Sequence, residues 1–302
     1  MIPLSIGDIA AITGGSLDSV DDPDERVTGF VEFDSRKVTS GSLFVALPGA
    51  RVDGHDFAEK AIEQGAVAVL AARPVGVPAV IVKPQGRVTG DSANADIYAN
   101  DEDGSAAAVI GALSDLAREV TSRLAAEQGL DIVGVTGSAG KTSTKDLLAT
   151  IFRAEGETVA PPGSFNNEVG LPYTALRCDE HTRFLVAEMS ARGIGHIRHL
   201  TEITAPTVGV VLNVGTAHLG EFGSRENIAQ AKGELIEALP SAADGGVAVL
   251  NADDPFVASM APRTQAKVVF YSANRPQAAD AQYYATDIEP VSYTHLTLPT
   301  KA

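Results

Sequence analysis

A lysine and two hydroxyl side chains follow a glycine-rich turn near the middle of the chain, in the sequence TGSAGKTS (residues 136–143). In such a loop, glycines let successive backbone N–H groups point at phosphate oxygens, and the start of the following helix favours negative charge. The lysine can reach the β- and γ-phosphates, and the next hydroxyl can bind Mg²⁺. The sequence therefore predicts a nucleotide-phosphate site formed by Gly137, Ser138, Ala139, Gly140, Lys141, Thr142 and Ser143.

The segments on either side of this loop carry the patterns of a strand and a helix. Residues 131–136 form a short apolar, β-branched run typical of a buried parallel strand. After the lysine, apolar residues at 147, 148, 151 and 152 share one helix face. This context supports a phosphate loop of the short form G-x-x-G-K-T, because Val135 stands where the longer pattern has glycine. The alternative is a glycine-rich turn with a surface lysine.

Polar residues also follow the other strands predicted in this half of the chain. Strand patterns cover residues 183–189, 207–214, 247–251 and 267–271, and helical patterns cover residues 194–203, 224–239 and 255–260. Their alternation predicts a parallel sheet covered on both faces, with ligands at the carboxyl ends of the strands. The polar residues at those ends are Glu188, Asn213, His218, Asn251, Asp253 and Asp254.

Several of these side chains have a structural as well as a functional explanation. Glu188 ends an apolar strand, where a carboxylate is costly to bury unless a cation shared with Thr142 compensates it. The alternative is a carboxylate that caps the next turn. His218 is either a loop histidine or part of the site, and Lys232 is by default a solvated surface lysine. Asparagines 166 and 167 could bind substrate or make Asx turns.

Composition and net charge limit the classes of partner and the cellular compartment that fit this protein. The formal net charge is −16 at pH 7, which disfavours nucleic acid and anionic membranes as partners. No apolar run approaches the ~20 residues of a membrane span, and the N-terminus lacks the pattern of a signal peptide. The single cysteine, Cys178, fits a reducing compartment and is predicted to be a partly buried apolar residue. These features predict a cytoplasmic protein.

The N-terminal 83 residues predict a separate, small α/β domain. Helical patterns cover residues 5–12 and 58–64, and strand patterns cover residues 27–33, 42–47, 66–71 and 77–82. Residues 84–107 are rich in Gly, Asp, Asn and Ala and predict a flexible acidic linker or insertion; helical periodicity resumes over residues 109–126. The predicted fold class is thus α/β: a small N-terminal α/β domain, then a mostly parallel phosphate-loop α/β domain over residues 108–290.

Taken together, these motifs resemble the Mur ligases, a family of ATP-dependent amide ligases. The motifs are DSRKVTSGSLFVALPGARVDGHDF (34–57), TGSAGKTSTKD (136–146), PPGSFNNEVGLP (161–172), AEMSARGIGHI (187–197), LNVGTAHLGEFGSRENIAQAKGEL (212–235) and LNADD (250–254). FNNEVGLP and ARGIGHI favour the branch that adds D-alanyl-D-alanine to UDP-N-acetylmuramoyl-tripeptide in peptidoglycan precursor synthesis. The resemblance implies that residues 1–83 bind the UDP-sugar and that the central domain is an ATPase.

The resemblance also implies a reaction and a set of roles. The tripeptide carboxylate attacks the γ-phosphate of ATP, and the amine of D-alanyl-D-alanine then displaces phosphate from the acyl phosphate. Two Mg²⁺ ions are implied, one held by Thr142 and Glu188, the other by His218 and by Lys232 as its carbamate. Lys141, His218 and Lys232 are implied to be catalytic. The residues implied to bind substrate are Ser35, Arg36, Asp53, Gly54, His55, Asn166 and Asn167.

The chain departs from the family near its C-terminus. The resemblance implies a longer central domain and a third domain beyond it, whereas residues 291–302 (VSYTHLTLPTKA) resemble nothing in the family. We expect these residues to be a foreign tail, the alternative being a genuine short strand, and we expect the 302-residue chain to be an inactive fragment. The alternative functions are another Mur-type ATP-dependent ligase or a non-catalytic nucleotide-binding module.

Overall fold

The computed structural model describes residues 1–49, 52–84, 86, 101–217, 219–273 and 281–285 of the 302-residue chain. Within these residues the chain forms a five-stranded sheet, a seven-stranded sheet and a two-stranded antiparallel ribbon, with helices packed against them. The smaller sheet belongs to the N-terminal part and the larger one to the central part. The predicted α/β fold class is confirmed.

The N-terminal domain is built on the five-stranded sheet. Its elements are β1 (Leu4–Ser5), α1 (Ile6–Thr13), β2 (Ser16–Asp18), β3 (Arg26–Val27), β4 (Val31–Glu32), β5 (Ser42–Val45), α2 (Ala58–Glu63), β6 (Ala66–Ala71) and β7 (Ala79–Ile81), and α3 (Ser105–Gln128) follows them. The strand order is β2–β7–β6–β5–β4, parallel except where β2 runs antiparallel to β7 at the edge. The central strand β6 is buried at every position but one, as expected for a strand covered on both faces.

The prediction of a single strand over residues 27–33 is wrong, because the chain passes from one sheet to another within this range. β3 pairs antiparallel with β1 in the ribbon, whereas β4 pairs parallel with β5 in the five-stranded sheet. Between them, the N–H groups of Thr28 and Gly29 both donate to the carbonyl of Gly41, at 3.1 and 2.8 Å. Both β3 and β4 bury apolar side chains, so the hydrophobic pattern does not show that the chain changes sheets between them.

The central domain is built on the seven-stranded sheet. Its elements are β8 (Asp131–Thr136), α4 (Lys141–Phe152), β9 (Glu157–Val159), α5 (Gly170–Ala175), β10 (Thr182–Glu188), α6 (His196–Thr204), β11 (Val208–Val211), α7 (Leu219–Phe222), α8 (Arg225–Glu237), β12 (Val247–Asn251), α9 (Pro255–Ala258), β13 (Lys267–Ser272) and β14 (Tyr283–Tyr284). The order is β14–β13–β12–β11–β8–β10–β9, and every pair is parallel. Because the chain builds outward on both sides of β8, the loop after β8 lies at a topological switch point, where such sheets bind ligands.

Helix α3 connects the two domains and packs against α1, α5 and α6. It begins at Ser105, inside the stretch predicted as a linker, because the buried carboxylate of Asp101 accepts hydrogen bonds from the N–H groups of Ala106 (3.0 Å) and Ala107 (2.9 Å). Residues 87–100 of that predicted linker lie outside the described residues, as does the predicted tail. None of the helices in the described part of the chain combines the length and the apolar character that crossing a bilayer requires.

Candidate nucleotide-binding site

The predicted phosphate loop lies between β8 and α4. Gly140, the residue before α4, has a left-handed backbone with φ of 83°. At Gly137 a side chain would place its Cβ 2.9 Å from the Cβ of Leu212, closer than real Cβ atoms approach. The two glycines are therefore required for different reasons, one by its backbone conformation and the other by a close contact with the loop after β11.

The N-terminus of α4 is open to an anion. Within the residues that the structure describes, no side chain caps this helix end. The first backbone N–H groups of a helix have no acceptor inside the helix, and the helix dipole places partial positive charge there. Lys141 adds a cation: its Nζ donates to the carbonyl of Gly137 at 2.7 Å, and burial lowers its pKa while the carboxylate of Glu188 opposes that shift. A fully solvated surface lysine does not fit this position.

Glu188, at the end of β10, is 1% exposed and faces the start of α4. Its Oε1 accepts a hydrogen bond from Oγ1 of Thr142 at 3.3 Å and one from Nδ2 of Asn166 at 2.7 Å. Its Oε2 is buried and has no hydrogen-bond partner in the described part of the chain. A buried carboxylate oxygen without a donor is costly unless a cation compensates it, and hydroxyl and carboxylate oxygens are ligands that Mg²⁺ prefers. These contacts favour the cation interpretation over the turn cap.

Lys232 lies in α8 and is 4% exposed, so the default expectation of a solvated surface lysine is wrong. Burial and, to a lesser extent, the positive charge of Lys141 lower its pKa to about 7. The helical spacing contained a signal for this burial, because Lys232 lies four residues after Ile228 and four before Ile236, which are both buried. A substantial neutral fraction makes this amine a possible nucleophile near pH 7.

The structure brings only part of the predicted metal-binding set together. His218 lies outside the described residues, although Gly215, three residues before it, donates its N–H to Oγ of Ser138 in the phosphate loop at 2.9 Å. No cluster of three or more His, Cys, Asp or Glu side chains suited to a metal occurs within the described ranges. The described members of the predicted set are instead a hydroxyl, a carboxylate and a lysine, at Thr142, Glu188 and Lys232.

The two adjacent asparagines behave differently. Oδ1 of Asn167 accepts hydrogen bonds from the N–H groups of Val169 (3.3 Å) and Gly170 (2.9 Å), as in an Asx turn at the start of α5. Asn166 instead directs its side chain at Glu188. The structure therefore places Asn166 at the site and makes Asn167 a local cap.

The other polar strand ends connect neighbouring segments to one another. Asn251 donates Nδ2 to the carbonyl of Leu212 at 2.9 Å, and Oδ2 of Asp254 accepts from the N–H of Val214 at 2.8 Å. Oδ2 of Asp253 accepts from the N–H of Ala273 at 2.7 Å. The first two contacts join the end of β12 and the turn after it to the loop after β11, and the third joins that turn to the end of β13.

A cavity of about 460 Å³ opens in the N-terminal domain. The family resemblance implies that five of the substrate-binding residues, those of this domain, shape a uridine pocket, and three of them line the cavity: Ser35, Arg36 and Gly54. Aromatic rings from Phe33 and Phe57 are also in its lining. The cavity is thus suited to a planar ring beside a positive charge.

The remaining two predicted residues, Asp53 and His55, are not among the residues that line this cavity. Nδ1 of His55 is 2.6 Å from Oδ1 of Asp53, and its Nε2 accepts from the N–H of Ala72 at 3.0 Å. The His55 side chain is 1% exposed. Both ring nitrogens are therefore occupied by the protein itself.

Sequence reasoning missed the residues that join the two domains. The buried carboxylate of Glu32 on β4 accepts from the hydroxyl of Tyr173 (3.0 Å) and from Arg177 (2.8 Å). The ring of Tyr173 packs on Phe33 of the cavity and on Phe165, next to Asn166, with centroids 4.7 and 5.6 Å away. An acidic residue within an apolar strand was the available signal.

The sheet topology and the loop define a phosphate-loop α/β protein. Sequence comparison then places it more narrowly: the Mur ligase middle domain matches residues 135–299, and the catalytic domain of the Mur ligase family matches residues 28–129. The chain belongs to the Mur ligase family. The middle-domain match extends into residues 291–302, whose foreign origin stays a prediction.

Relatives and solved structures agree with this assignment. The chain is 56% identical to the UDP-N-acetylmuramoyl-tripeptide–D-alanyl-D-alanine ligase of Mycobacterium tuberculosis (strain ATCC 25618 / H37Rv) over 272 residues, covering 89% of this chain and 52% of the relative. The ligase of the same name from Mycobacterium leprae (strain TN) is 51% identical over 311 residues, covering 100% of this chain and 59% of the relative. The chain thus spans about half the length of the curated relatives it matches.

Two solved structures share the fold over most of the chain. A crystal structure of MurF from Acinetobacter baumannii has a TM-score of 0.75 at 27% identity, over 95% of this chain and 56% of that one. The structure of MurF ligase from Thermotoga maritima in complex with ADP has a TM-score of 0.62 at 34% identity, over 82% of this chain and 51% of that one.

Proposed function

We propose that this chain is part of an ATP-dependent ligase that adds D-alanyl-D-alanine to UDP-N-acetylmuramoyl-tripeptide in the cytoplasm. The observation that carries the proposal is the buried Oε2 of Glu188, which has no hydrogen-bond partner among the residues that the structure describes and lies beside Thr142 at a phosphate loop. A carboxylate in that position suits a cation shared with nucleotide phosphates. The names of the relatives supply the two substrates, and a relative with bound ADP supports the nucleotide.

The site residues fit Mg²⁺, with Thr142 and Glu188 as its protein ligands. When bound, the ion would offset the negative charge of the phosphate oxygens as an anionic carboxylate approaches them. Lys141 and the N–H groups at the start of α4 act in the same direction, because they place positive charge at the phosphates without rearrangement. The tripeptide carboxylate can then attack the γ-phosphate, which releases ADP and leaves an acyl phosphate. The amine of D-alanyl-D-alanine displaces phosphate from it, and an amide remains.

Lys232 is proposed to act as its carbamate and, together with His218, to bind a second Mg²⁺. Carbamate formation joins a neutral amine to CO₂ and releases a proton, and burial keeps part of this amine neutral near pH 7. The product is anionic, so it replaces a repulsive charge near Lys141 with an attractive one. The buried position of Lys232 is thus consistent with an oxygen ligand rather than with a cation.

The cavity of the N-terminal domain is proposed to take the uridine diphosphate end of the substrate. Arg36 offers a charge for the diphosphate, and Phe33 or Phe57 offers a surface for the base. Phe33 contacts Tyr173, and Tyr173 contacts Phe165 beside Asn166. This series of rings connects the cavity to the loop that meets Glu188, so the peptide end can extend toward the phosphates.

Because the chain covers about half of its relatives, the test has two parts. Calorimetry on this chain should show Mg²⁺-dependent binding of ADP and ATP that Lys141→Ala abolishes. A protein extended to the length of the relatives should release phosphate only when both proposed substrates are present, whereas the 302-residue chain should release none. Turnover with a different amine would indicate another Mur-type ligase, and nucleotide binding without turnover of any amine would indicate a non-catalytic module.

A further inference from the structure

The loop after β11 holds the phosphate loop through one side chain. Oδ1 of Asn213 accepts from the N–H of Ala139 at 2.9 Å, and Nδ2 of Asn213 donates to the carbonyl of Ala139 at 3.1 Å. The backbone carbonyl of Asn213 also accepts from the N–H of Ser138 at 3.1 Å. Asn213 therefore binds both polar groups of one residue in the phosphate loop and a third group beside it.

A loop with glycines at both ends needs such a restraint. Gly137 and Gly140 give the backbone freedom that is lost when the loop closes around a ligand, and ordering one residue costs about 1–2 kcal/mol. If the loop already has its binding conformation in the folded protein, that entropy is lost during folding and does not lower the affinity for the ligand. Only a side-chain amide offers a donor and an acceptor at this spacing, since a carboxylate has no donor and a hydroxyl is too short to bridge both groups.

We propose that Asn213 is a positioning residue that preorganises the phosphate loop for the nucleotide. It acts through Ala139 and Ser138 and needs no contact with the ligand. The inference rests on the nucleotide site proposed above. It does not depend on the amine or on the UDP-linked substrate.

The chain contains a matched control. Asn251 ends the neighbouring strand β12, is similarly half-buried, and also donates its amide to a main-chain carbonyl, that of Leu212, at 2.9 Å. It supports the same edge of the sheet without touching the phosphate loop. A purely structural role for an asparagine at this edge predicts similar consequences for Asn213→Ala and Asn251→Ala.

The experiment measures ADP and ATP affinity by calorimetry, together with amide hydrogen exchange of residues 137–140 in the nucleotide-free chain. Asn213→Ala should lower the affinity for both nucleotides about tenfold, as expected for the loss of two hydrogen bonds, and should speed amide hydrogen exchange in the loop. Asn213→Asp, which keeps the acceptor but adds a negative charge, should lower the affinity for both nucleotides further. Asn251→Ala should change neither affinity nor exchange by more than about twofold.

Equal affinity losses in the two alanine variants, or unchanged loop exchange in Asn213→Ala, would overturn the proposal. A thermal unfolding scan of each variant identifies loss of folding, and Asn213→Asp, of nearly the same shape, provides a second test if the alanine variant is unstable. Failure of the unaltered chain to bind ADP or ATP would instead contradict the proposed function. The two failures are therefore distinguishable.

Discussion

Asn166 donates its Nδ2 to Oε1 of Glu188 at 2.7 Å, which ties the loop before α5 to the end of β10. The loop is fixed there from the other side as well, because the N–H of Ser190 donates to the carbonyl of Asn166 at 2.9 Å. Thr142 approaches the same Oε1 at 3.3 Å. Both donors thus act on one oxygen, and the orientation of the carboxylate leaves Oε2 for a cation.

Glu188→Gln should remove most of the Mg²⁺ dependence of nucleotide binding. The amide keeps an oxygen for Asn166 and Thr142 but has no charge for a cation. ADP affinity in Mg²⁺ should fall at least tenfold, toward the value that unaltered protein shows in EDTA; calorimetry with and without Mg²⁺ measures this. Glu234→Gln is the control, since that buried carboxylate is occupied by the N–H groups of Gly195 and Arg198. It should lower stability and leave the Mg²⁺ dependence intact, and equal Mg²⁺ dependence in both variants would contradict the cation role.

Lys232 should make the protein more stable as pH rises above neutrality. Its pKa is lowered from 10.5 to about 7 by burial, so between these values the unfolded chain holds a proton that the folded chain has lost. The unfolding free energy should therefore rise with pH across that window, by up to about 1.4 kcal/mol per pH unit. Urea denaturation in CO₂-free buffer at pH 7 and pH 9 measures the slope. Lys232→Met should flatten it, whereas Lys267→Met, at an exposed position, should not. A slope that survives Lys232→Met would assign the titration to another group.

The carbamate makes a separate prediction for the same residue. With ¹³C-labelled bicarbonate, the unaltered chain should show a protein-bound carbamate resonance that Lys232→Ala lacks, because burial keeps part of the Lys232 amine neutral near pH 7. In a protein of the relatives' length, Lys232→Ala should lose activity that short carboxylates added to the assay partly restore. Full activity of the variant without added carboxylate would rule out the carbamate role.

The parts of the fold that follow from local patterns were predictable. β8, the phosphate loop and α4 were recognisable because a β-branched run, a glycine turn and a helical period follow one another within about twenty residues. The parallel sheet followed from the alternation of strands and helices. β9 was missed, since three residues are too few to establish a period.

What the sequence could not show depends on long-range contacts. Glu32 meets Tyr173 and Arg177 across more than 140 positions, and no local pattern encodes such a pairing. His55 was assigned to the uridine pocket by the motif it belongs to, but its inward direction depends on the N–H of Ala72 in the strand connection beyond β6. Motifs identify which residues are near a site, and packing decides which of them face it.

Arg36 and His55 should therefore respond differently to substitution. Arg36 lines the cavity with a side chain that is 81% exposed, so Arg36→Ala should weaken binding of UDP at least fivefold and leave the melting temperature within about 1 °C. His55→Ala should lower the melting temperature by several degrees, since it leaves the N–H of Ala72 without its acceptor. Calorimetry with UDP and a thermal scan measure the two effects. The opposite assignment of effects would place His55, and not Arg36, in contact with the ligand.

Arg177→Met should destabilise the contact between the two domains. Among the described residues it leaves the Glu32 carboxylate, which is 5% exposed, with only the Tyr173 hydroxyl as a donor, and breaking a buried ion pair from one side costs about 3 kcal/mol. Urea denaturation should show this loss, and Glu32→Gln added to Arg177→Met should recover part of it, because the stranded charge is then removed. Arg123→Met is the control: its ion pair with Glu119 joins side chains that are 40% and 39% exposed, and its loss should cost about 0.5 kcal/mol or less. Equal costs for the two arginines would mean that Glu32 is solvated in solution and does not hold the domains together.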